Sequence, residues 1–401
     1  MAVRPFKISV PQTKIDMLKQ KLSLADFPDE LESAGWDMGV PLGDIKRLAK
    51  AWEKWDWRQA EKRLNQVPQF ETDIEVDGFG SLEIHFVYQK SDVPGAIPLL
   101  FVHGWPGSFI EVLDILPLLA ERNGSDPAFH IVAPSLPNYG FSQGVSKRGF
   151  ALTQYAETCH KLMLQLGYTE YVTQGGDWGF SVTRFIGILY PEHCKASHVN
   201  LVRASVPTWR KNPILALQHS LSPYTEKEKK GLERTAWFRK EGIGYYHEQS
   251  TKPQTLAYSL HDSPVGLLAW IFEKLHDWTD GYVWTDDQIF TWISIYQFSR
   301  AGPGAAHRIY YEVAHSPSKG QEMYDYIPGV VLGLSYNPHE VCVVPATWGK
   351  TLGPVVYEAF NDRGGRHFYA SEYPALLARD LKAMFGRKGG AYGVVKGNVG
   401  Y

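Results

Sequence analysis

Cysteine, long apolar runs and an excess of charge of either sign are all scarce in this sequence. The three cysteines, Cys159, Cys194 and Cys342, lack Cys-x-x-Cys spacing, so we expect free buried thiols rather than a disulfide. No apolar run approaches the roughly 20 residues of a membrane-spanning helix, and the first residues contain no apolar signal core. The 41 basic and 43 acidic side chains nearly cancel, which favours neither nucleic acid nor an anionic membrane as a partner. We therefore expect a cytosolic protein with no membrane anchor and no nucleic-acid partner.

Apolar patterning predicts an α/β fold in the middle of the chain. Alternating apolar and polar residues from 73 to 88 are typical of a half-exposed β-hairpin. The continuous apolar runs at 98–102 and 130–134 indicate strands covered on both faces, as in a parallel sheet. Helical patterns separate these runs from further strands at 170–173 and 199–202. This alternation favours a mostly parallel sheet with flanking helices.

The same patterns divide the chain into four segments. Residues 1–95 contain helical stripes followed by the hairpin, and the first part of the α/β core covers 96–204. Residues 205–320 are rich in tryptophan, tyrosine and helical patterns and lack short apolar strands, which indicates an inserted helical cap. Strand patterns return in 321–401, the second part of the core. The glycine-rich end from residue 388 onward is typical of a loose tail or a packing strand.

The motif Gly175-Gly176-Asp177-Trp178-Gly179 lies between a strand-like run and an apolar helical run. It matches the nucleophile elbow of α/β-hydrolases, a strained turn that lifts the reactive side chain above the sheet. Here Asp177 replaces the usual serine. A carboxylate is already ionised near neutral pH, so it can attack an activated sp³ carbon directly and form an alkyl ester. The alternative is a glycine-rich turn in which Asp177 caps the following helix.

The turn His103-Gly104-Trp105-Pro106 follows the first of the buried strands. In the α/β-hydrolase fold, the loop at this position provides one amide of the oxyanion hole, and the residue after the nucleophile provides the other. These donors would be the backbone N–H groups of Trp105 and Trp178. For His103 we favour an imidazole bonded to the local backbone over a role in proton transfer. The sequence contains no motif for a metal or a cofactor.

An ester on Asp177 needs a general base to activate the water that hydrolyses it. In this fold the chain order is nucleophile, acid and then histidine, and among 14 histidines His367 fits that order. Its acid partner should follow the preceding strand, where Glu340 is the carboxylate. Asp362 is a weaker candidate because it lies on the same loop as His367. The alternative for His367 is an imidazole on a surface loop.

Together these motifs resemble the microsomal and fungal epoxide hydrolase family over essentially the whole chain. The segment from Phe6 to Pro11 is similar to the N-terminal extension of that family, and the turns at 103–106 and 175–179 resemble its HGxP turn and its nucleophile turn. The family's acid corresponds to Glu340 and its base to His367. The resemblance implies an α/β-hydrolase fold with a mostly parallel central sheet, flanking helices, an N-terminal extension and an inserted helical cap.

The resemblance also implies two cap tyrosines that donate hydrogen bonds to the epoxide oxygen as the C–O bond breaks. The motif that begins Gly244-Tyr245-Tyr246 gives one of these roles to Tyr245, and Tyr310-Tyr311 gives the other to Tyr310. Both are doublets in a chain with 22 tyrosines. Each could therefore be a buried aromatic instead, and Tyr246 or Tyr311 could replace its neighbour as the donor.

The implied reaction combines an epoxide substrate with water to give a vicinal diol, without a cofactor or a metal. Two features depart from the family. Arg366 separates Gly365 from His367, where Gly-Gly-His-Phe is frequent, and the apolar N-terminal helix of membrane-anchored members is absent, as in the soluble fungal members. Haloalkane dehalogenation, biosynthetic opening of an epoxide by an internal hydroxyl, and a non-catalytic ligand-binding role on this fold stay open, as does a homodimer.

Overall fold

A single sheet forms the centre of the molecule, for which the computed structural model describes residues 2–121, 124–361 and 367–401. The strands in these residues are β1 (Arg4–Pro5), β2 (Gln69–Val76), β3 (Gly80–Gln89), β4 (Ile97–Val102), β5 (Phe129–Pro134), β6 (Tyr171–Gly175), β7 (Cys194–Val199), β8 (Val331–Tyr336) and β9 (Val355–Phe360). They are ordered β1-β2-β3-β5-β4-β6-β7-β8-β9 across the sheet.

Parallel pairing joins the strands from β5 to β9 in this order, whereas β1, β2 and β3 form an antiparallel edge that meets β5. β4 is buried along its whole length, as its continuous apolar run predicts. Val102 of β4 is in register with Gly175 of β6, and these residues end their strands. The loop at 103–107 and the turn around Asp177 therefore start side by side at one edge of the sheet.

Helices flank the sheet and also form an insertion between two of its strands. The α-helices of the described residues are α1 (Gln12–Ser23), α2 (Leu42–Lys54), α3 (Trp57–Leu64), α4 (Leu116–Ala120), α5 (Leu152–Gln165), α6 (Trp178–Leu189), α7 (Pro213–Leu221), α8 (Glu226–Trp237), α9 (Gly244–Thr251), α10 (Pro253–Asp262), α11 (Pro264–Asp277), α12 (Asp286–Gln297), α13 (Arg308–Ala314), α14 (Ala346–Gly349), α15 (Tyr369–Glu372) and α16 (Pro374–Phe385). Helices α7–α13, between β7 and β8, are called the helical insertion below. Short 3₁₀ helices cover Phe109–Ile115, Ala305–His307, Gln321–Tyr324 and Lys350–Leu352.

The N-terminal helices pack against the helical insertion. Trp52, buried on α2, donates its indole N–H to Ser294 Oγ on α12 at 3.3 Å. Trp55 donates to Asp287 Oδ1, also on α12, at 2.9 Å. Burying an indole ring removes a large apolar area from water, and its N–H needs a partner when buried. The N-terminal segment therefore helps to hold the helical insertion in place.

The strand predicted at 199–202 is displaced in the structure. β7 covers Cys194–Val199 and ends at the first residue of the predicted range. Polar Lys195, Ser197 and His198 interrupt the apolar run of this strand, and the latter two are nevertheless buried. Neighbouring strands on both sides of β7 determine its position more strongly than its own apolar pattern does.

The C-terminal tail from residue 388 is neither a strand nor loose. The Gly400 N–H donates to the Gly95 carbonyl at 2.8 Å, and the Gly400 carbonyl accepts from the Ala128 N–H at 3.0 Å. Ala391 and Val395 are buried. The tail therefore docks as irregular backbone where β4 and β5 begin.

The cysteines and the helix lengths agree with a chain that has neither a disulfide nor a membrane helix in its described part. Cys159, Cys194 and Cys342 are free thiols, which confirms that prediction, although Cys342 is only partly buried. Among the described residues, every helix is too short or too polar to cross a membrane.

Candidate active site

Asp177 occupies the sharp turn between β6 and α6. Its backbone angles are φ 49° and ψ −125°, in a region that is costly for a residue with a Cβ atom. Glycine is required around it: a Cβ on Gly179 would lie 1.9 Å from the Val102 carbonyl oxygen, and one on Gly104 would lie 2.2 Å from Asp177 Oδ1. The Asp177 side chain makes no capping hydrogen bond to α6, so the helix-cap alternative is wrong.

The loop after β4 binds one oxygen of this carboxylate. The Trp105 N–H donates to Asp177 Oδ1 at 2.7 Å. The next two carbonyls of the loop accept hydrogen bonds from α12, Pro106 from the Trp292 indole and Gly107 from the Tyr296 hydroxyl, both at 2.6 Å. The helical insertion therefore holds the loop that contacts Asp177.

The second predicted oxyanion donor is the Trp178 N–H. Trp178 is the first residue of α6, where a backbone N–H has no intrahelical partner. In the described part of the chain it makes no hydrogen bond to the Asp177 carboxylate. The structure thus joins Asp177 to the Trp105 N–H, and the part of the Trp178 N–H in an oxyanion hole stays a prediction.

His367 lies between Asp177 and Glu340. Its Nδ1 is 2.8 Å from Glu340 Oε1, and its Nε2 is 3.5 Å from Asp177 Oδ2. An ionised carboxylate only accepts hydrogen bonds, so Nδ1 carries a proton and Nε2 faces Asp177. Glu340 Oε1 also accepts the Val341 N–H at 2.7 Å, and the His367 N–H donates to the Trp278 carbonyl at 3.3 Å. Both the imidazole and its acid are therefore held from two sides.

The charges around His367 determine its protonation state. His367 and Glu340 are both buried. Burial alone would lower the pKa of His367, but the charge of Glu340, together with the hydrogen bonds and charge of Asp177, raises this pKa well above its ordinary value. These interactions therefore favour the protonated form of the imidazole. The other acid candidate, Asp362, and the departure at Arg366 lie outside the described residues.

Two of the four candidate tyrosines are buried above Asp177. Tyr245 on α9 stacks on Trp105 with ring centroids 5.2 Å apart, and Tyr310 on α13 meets Trp178 edge to face at 4.8 Å. Burial raises the pKa of both phenols well above the ordinary value. The Trp178 indole N–H can only donate to the Tyr310 oxygen, and the Tyr310 O–H itself donates to no described residue. Both rings are thus close to the carboxylate, and Tyr310 has a buried donor available.

Their neighbours in the doublets have different surroundings. Tyr246 is partly buried and lines the cavity described below. Its ring centroid lies 5.6 Å from that of Tyr310. Tyr311 stacks on His315 and accepts a hydrogen bond from Arg148 at 3.3 Å, away from Asp177. Consecutive helical residues point in directions about 100° apart, which explains why only one member of this second doublet lies near Asp177.

A cavity of about 450 Å³ opens between the sheet and the helical insertion. Its lining includes Asp177, both buried tyrosines and Tyr246, together with apolar residues of the helical insertion and the loop after β8. This volume suits a small organic ligand. A second space of about 10 Å³, room for roughly one water molecule, lies beside Asp177 and is lined by Glu111, Asn200 and His367.

Sequence reasoning missed two residues of this site. Trp278 follows α11 and packs against His367 at 4.5 Å and Tyr245 at 5.0 Å between ring centroids. Glu111 is buried beside the small space, and burial raises the pKa of its carboxyl to about 8. The sequence contains no signal for Trp278, because its role depends on contacts between distant segments.

The imidazole of His103 is bonded to backbone, as predicted. Its Nε2 accepts the Leu136 N–H at 3.1 Å, so Nδ1 carries the proton and donates to the Gly104 carbonyl at 3.0 Å. Burial lowers the pKa of His103 to about 4, which keeps the ring neutral. In the described ranges, no group of three or more His, Cys, Asp or Glu side chains could hold a metal ion.

Comparison with known proteins relates this chain to one family. Residues 3–112 match the model described as epoxide hydrolase N terminus, and residues 97–201 match the alpha/beta hydrolase fold. The chain is 34% identical over 417 residues to epoxide hydrolase 1 of Oryctolagus cuniculus, which covers 96% of this chain and 89% of the relative.

Solved structures with the same fold extend this similarity over nearly the whole molecule. The Aspergillus niger epoxide hydrolase matches with a TM-score of 0.83 and 35% identity over 96% of both chains. The juvenile hormone epoxide hydrolase of the silkworm Bombyx mori matches with a TM-score of 0.83 and 31% identity over 95% of this chain and 93% of the other. The chain therefore belongs to the epoxide hydrolase family, whose enzymes are hydrolases of the α/β-hydrolase fold.

Proposed function

We propose that this enzyme hydrolyses an epoxide to a vicinal diol through a covalent ester on Asp177. The observation that carries the proposal is the different surroundings of the two carboxylate oxygens. Oδ1 accepts the Trp105 N–H at 2.7 Å, whereas Oδ2 lies 3.5 Å from His367 Nε2. Oδ1 is thus in position to become the stabilised carbonyl oxygen of an ester, and Oδ2 to attack carbon.

In the first step, Asp177 Oδ2 forms a bond to one epoxide carbon while the carbon–oxygen bond of the ring breaks. The leaving alkoxide takes a proton from Tyr245 or Tyr310, the two phenols whose pKa burial keeps high and which are therefore protonated at neutral pH. Their ring centroids are 6.0 Å apart, and both line the cavity that contains Asp177. A single epoxide oxygen could accept from both.

In the second step, His367 removes a proton from water, and the hydroxide adds to the ester carbonyl carbon. The oxyanion is stabilised by the Trp105 N–H and by the adjacent Trp178 N–H. The bond between the carbonyl carbon and the alkoxy oxygen then breaks, and the leaving alkoxide takes the proton that His367 removed from water, which releases the diol. The proton of the new Asp177 carboxyl group passes to the tyrosine phenolate left by the first step, which restores the carboxylate and the phenol. Esterification removes one of the charges that raise the pKa of His367, so the neutral imidazole needed as a base is favoured in the intermediate.

We also infer the roles of the chain segments. Residues 205–320 act as a cap over the two core segments, 96–204 and 321–401, and residues 1–95 form the extension that supports it. This inference is supported by α9 and α13, the two helices that carry the tyrosines, because both belong to the helical insertion. We infer that the enzyme acts in the cytoplasm.

Intact-protein mass and oxygen labelling test the ester. The native enzyme, Asp177→Asn and His367→Gln are incubated with aryl and aliphatic epoxides in ¹⁸O-labelled water. We expect diol from the native enzyme only, ¹⁶O in the first-turnover diol, and His367→Gln that gains the full mass of the epoxide. Undiminished diol formation by Asp177→Asn would exclude Asp177 as the nucleophile. If ¹⁸O appeared in the diol from the first turnover onward and never in the enzyme, the ester would be excluded.

Haloalkane dehalogenation is the second candidate, favoured by one observation. The Trp105 indole N–H is buried without a hydrogen-bond partner among the described residues, and a halide ion would accept such a donor. Chloride release from a chloroalkane series, measured beside diol formation from the matching epoxides, separates the two activities. A cyclic ether in place of a diol would indicate internal opening of the epoxide instead.

A further inference from the structure

Two arginines give the candidate substrate cavity an unusual charge. Both line it: Arg203 lies on the segment after β7, and Arg239 is exposed two residues after the end of α8. Among the described residues that form its lining, Asp177 is the only carboxylate. The cavity thus contains more positive than negative charge, although the overall chain is close to neutral.

The surroundings of Arg203 lack a partner for its charge. In the described ranges, its guanidinium makes no ion pair or hydrogen bond, and it lies 5.9 Å from the centre of the Tyr324 ring. The titratable groups that act on it are Tyr324, Cys342, Tyr246 and Asp177, and of these only Asp177 is a carboxyl group. By contrast, Arg47 and Arg300 on the surface pair with carboxylates at 2.8 Å and 2.7 Å.

The guanidinium of Arg203 is available to a ligand. Arg203 is partly buried, and its five N–H donors have no acceptor among the described residues. A planar guanidinium binds a carboxylate through two parallel hydrogen bonds. The remaining walls include Leu201, Phe238 and Ile243, which suit a hydrocarbon chain rather than a multiply charged group.

A substrate that carries a carboxylate would need such a cation, because it shares the cavity with the carboxylate of Asp177. A carboxylate that entered the cavity would be repelled by the ionised nucleophile. A cation elsewhere in the same cavity offsets this repulsion and holds the acid group away from Asp177. The volume of about 450 Å³ is sufficient for a ligand that extends between the two groups.

We propose that Arg203 binds a carboxylate carried by the substrate, so that the preferred substrates are epoxides of carboxylic acids. The proposal rests on the epoxide hydrolysis proposed above. In this arrangement the hydrocarbon chain lies along the apolar wall, the epoxide reaches Asp177, and exposed Arg239 attracts the acid at the cavity mouth.

Matched acids and esters test this preference. Carboxylic acids with a terminal epoxide and graded chain length are compared with their methyl esters, for native enzyme, Arg203→Gln and Arg203→Lys. We expect kcat/KM of the native enzyme for the best acid to exceed that for its ester by about 10- to 100-fold, as a charged hydrogen-bonded pair allows. Arg203→Gln should reduce this ratio to near one, mainly through KM of the acid, and Arg203→Lys should restore part of it.

The outcomes separate the two proposals. Equal kcat/KM for acid and ester in the native enzyme, or a ratio that Arg203→Gln leaves unchanged, would overturn the role of Arg203 while diol formation stands. No diol from acids, esters or neutral epoxides would instead overturn epoxide hydrolysis.

A measurement on the native enzyme covers the case in which the variants do not fold. The saturated acids should inhibit turnover of a neutral epoxide competitively, and the matching primary alcohols should inhibit at least about 10-fold more weakly. Equal inhibition by acids and alcohols would contradict the carboxylate site.

Discussion

Tyr245 stacks on Trp105 with ring centroids 5.2 Å apart and ring planes 13° apart. Trp105 contacts Asp177 through its backbone N–H, so this stack joins a tyrosine of the helical insertion to the loop that holds the carboxylate. Stacked aromatic rings bury a large apolar area and resist relative motion. The distance between the proposed nucleophile and one proposed proton donor therefore depends on a rigid contact rather than on a flexible loop.

Removing the phenol of Tyr245 or Tyr310 should slow epoxide opening without loosening this contact. Phenylalanine keeps the ring and its packing but cannot donate to the epoxide oxygen. We expect Tyr245→Phe and Tyr310→Phe each to lower kcat/KM by about 10- to 100-fold. This is less than the roughly 10²- to 10⁴-fold contribution of a sole general acid, because the other tyrosine still donates. Stopped-flow kinetics of ester formation measure this effect.

Tyr311→Phe is the matched control, because Tyr311 faces Arg148 and His315 rather than the cavity. Its kcat/KM should stay within about twofold of the native value. Tyr246→Phe examines the remaining alternative. A large loss in Tyr246→Phe with no loss in Tyr245→Phe would transfer the donor role to Tyr246.

Gly179→Ala should destabilise the fold. The added Cβ would lie 1.9 Å from the Val102 carbonyl oxygen, a backbone atom that cannot move without displacing β4. We expect a loss of at least about 3 kcal/mol in the free energy of unfolding, measured by urea denaturation. Gly244→Ala is the control, because its Cβ would meet no atom within 4 Å, and it should be neutral or slightly stabilising. Equal stability of the two variants would contradict the steric explanation of the elbow.

Local patterns in the sequence predicted the parts of the site that are local in the chain. Small residues around Asp177, between a strand and a helix, predict a strained turn, and the structure has it at φ 49°. The alternation of buried strands and helices predicts a mostly parallel sheet with flanking helices. The elbow motif and the family resemblance imply the α/β-hydrolase fold, which family membership confirms. His367 and Glu340 depend on chain order in that fold, and they lie in contact at 2.8 Å.

Residues that act through tertiary contacts could not be predicted in this way. In the sequence, Trp278 is indistinguishable from any other apolar residue of a helical region, and Arg203 from a solvated loop residue. Only the folded structure places them beside His367 and in the cavity lining. Glu111 is an intermediate case. Its spacing from Ser108 is typical of a capping box, and its carboxyl does bond to the Ser108 backbone, but this pattern does not indicate burial beside Asp177.

Glu111→Gln should change how stability depends on pH. Burial raises the pKa of Glu111 to about 8, so the folded state keeps a proton that the unfolded state loses above its ordinary pKa of 4.5. A raised carboxyl pKa therefore lowers stability progressively as pH rises through this window. The native enzyme should lose on the order of a few kcal/mol relative to Glu111→Gln between about pH 5 and about pH 8.

Urea unfolding of both proteins across that pH range measures the difference. Glu32→Gln, at an exposed position, is the control and should parallel the native enzyme. A difference between native enzyme and Glu111→Gln that does not change with pH would contradict a buried neutral carboxyl.

The protonation of His367 should depend on the charge of Asp177. In the free enzyme, burial acts to lower the pKa of His367, and Glu340 and Asp177 outweigh it and raise the value. Asp177→Asn imitates the loss of charge on esterification, so the pKa of His367 should fall in that variant. NMR titration of the imidazole, identified by its absence in His367→Gln, measures this. The same change predicts that His367 has a lower pKa in the ester intermediate than in the free enzyme. The rate of ester hydrolysis should therefore begin to fall only at a pH below the pKa of His367 in the free enzyme. Identical His367 pKa values in native enzyme and Asp177→Asn would show that Asp177 does not control the base, and the alternation of the imidazole between a charged and a neutral form would then need another cause.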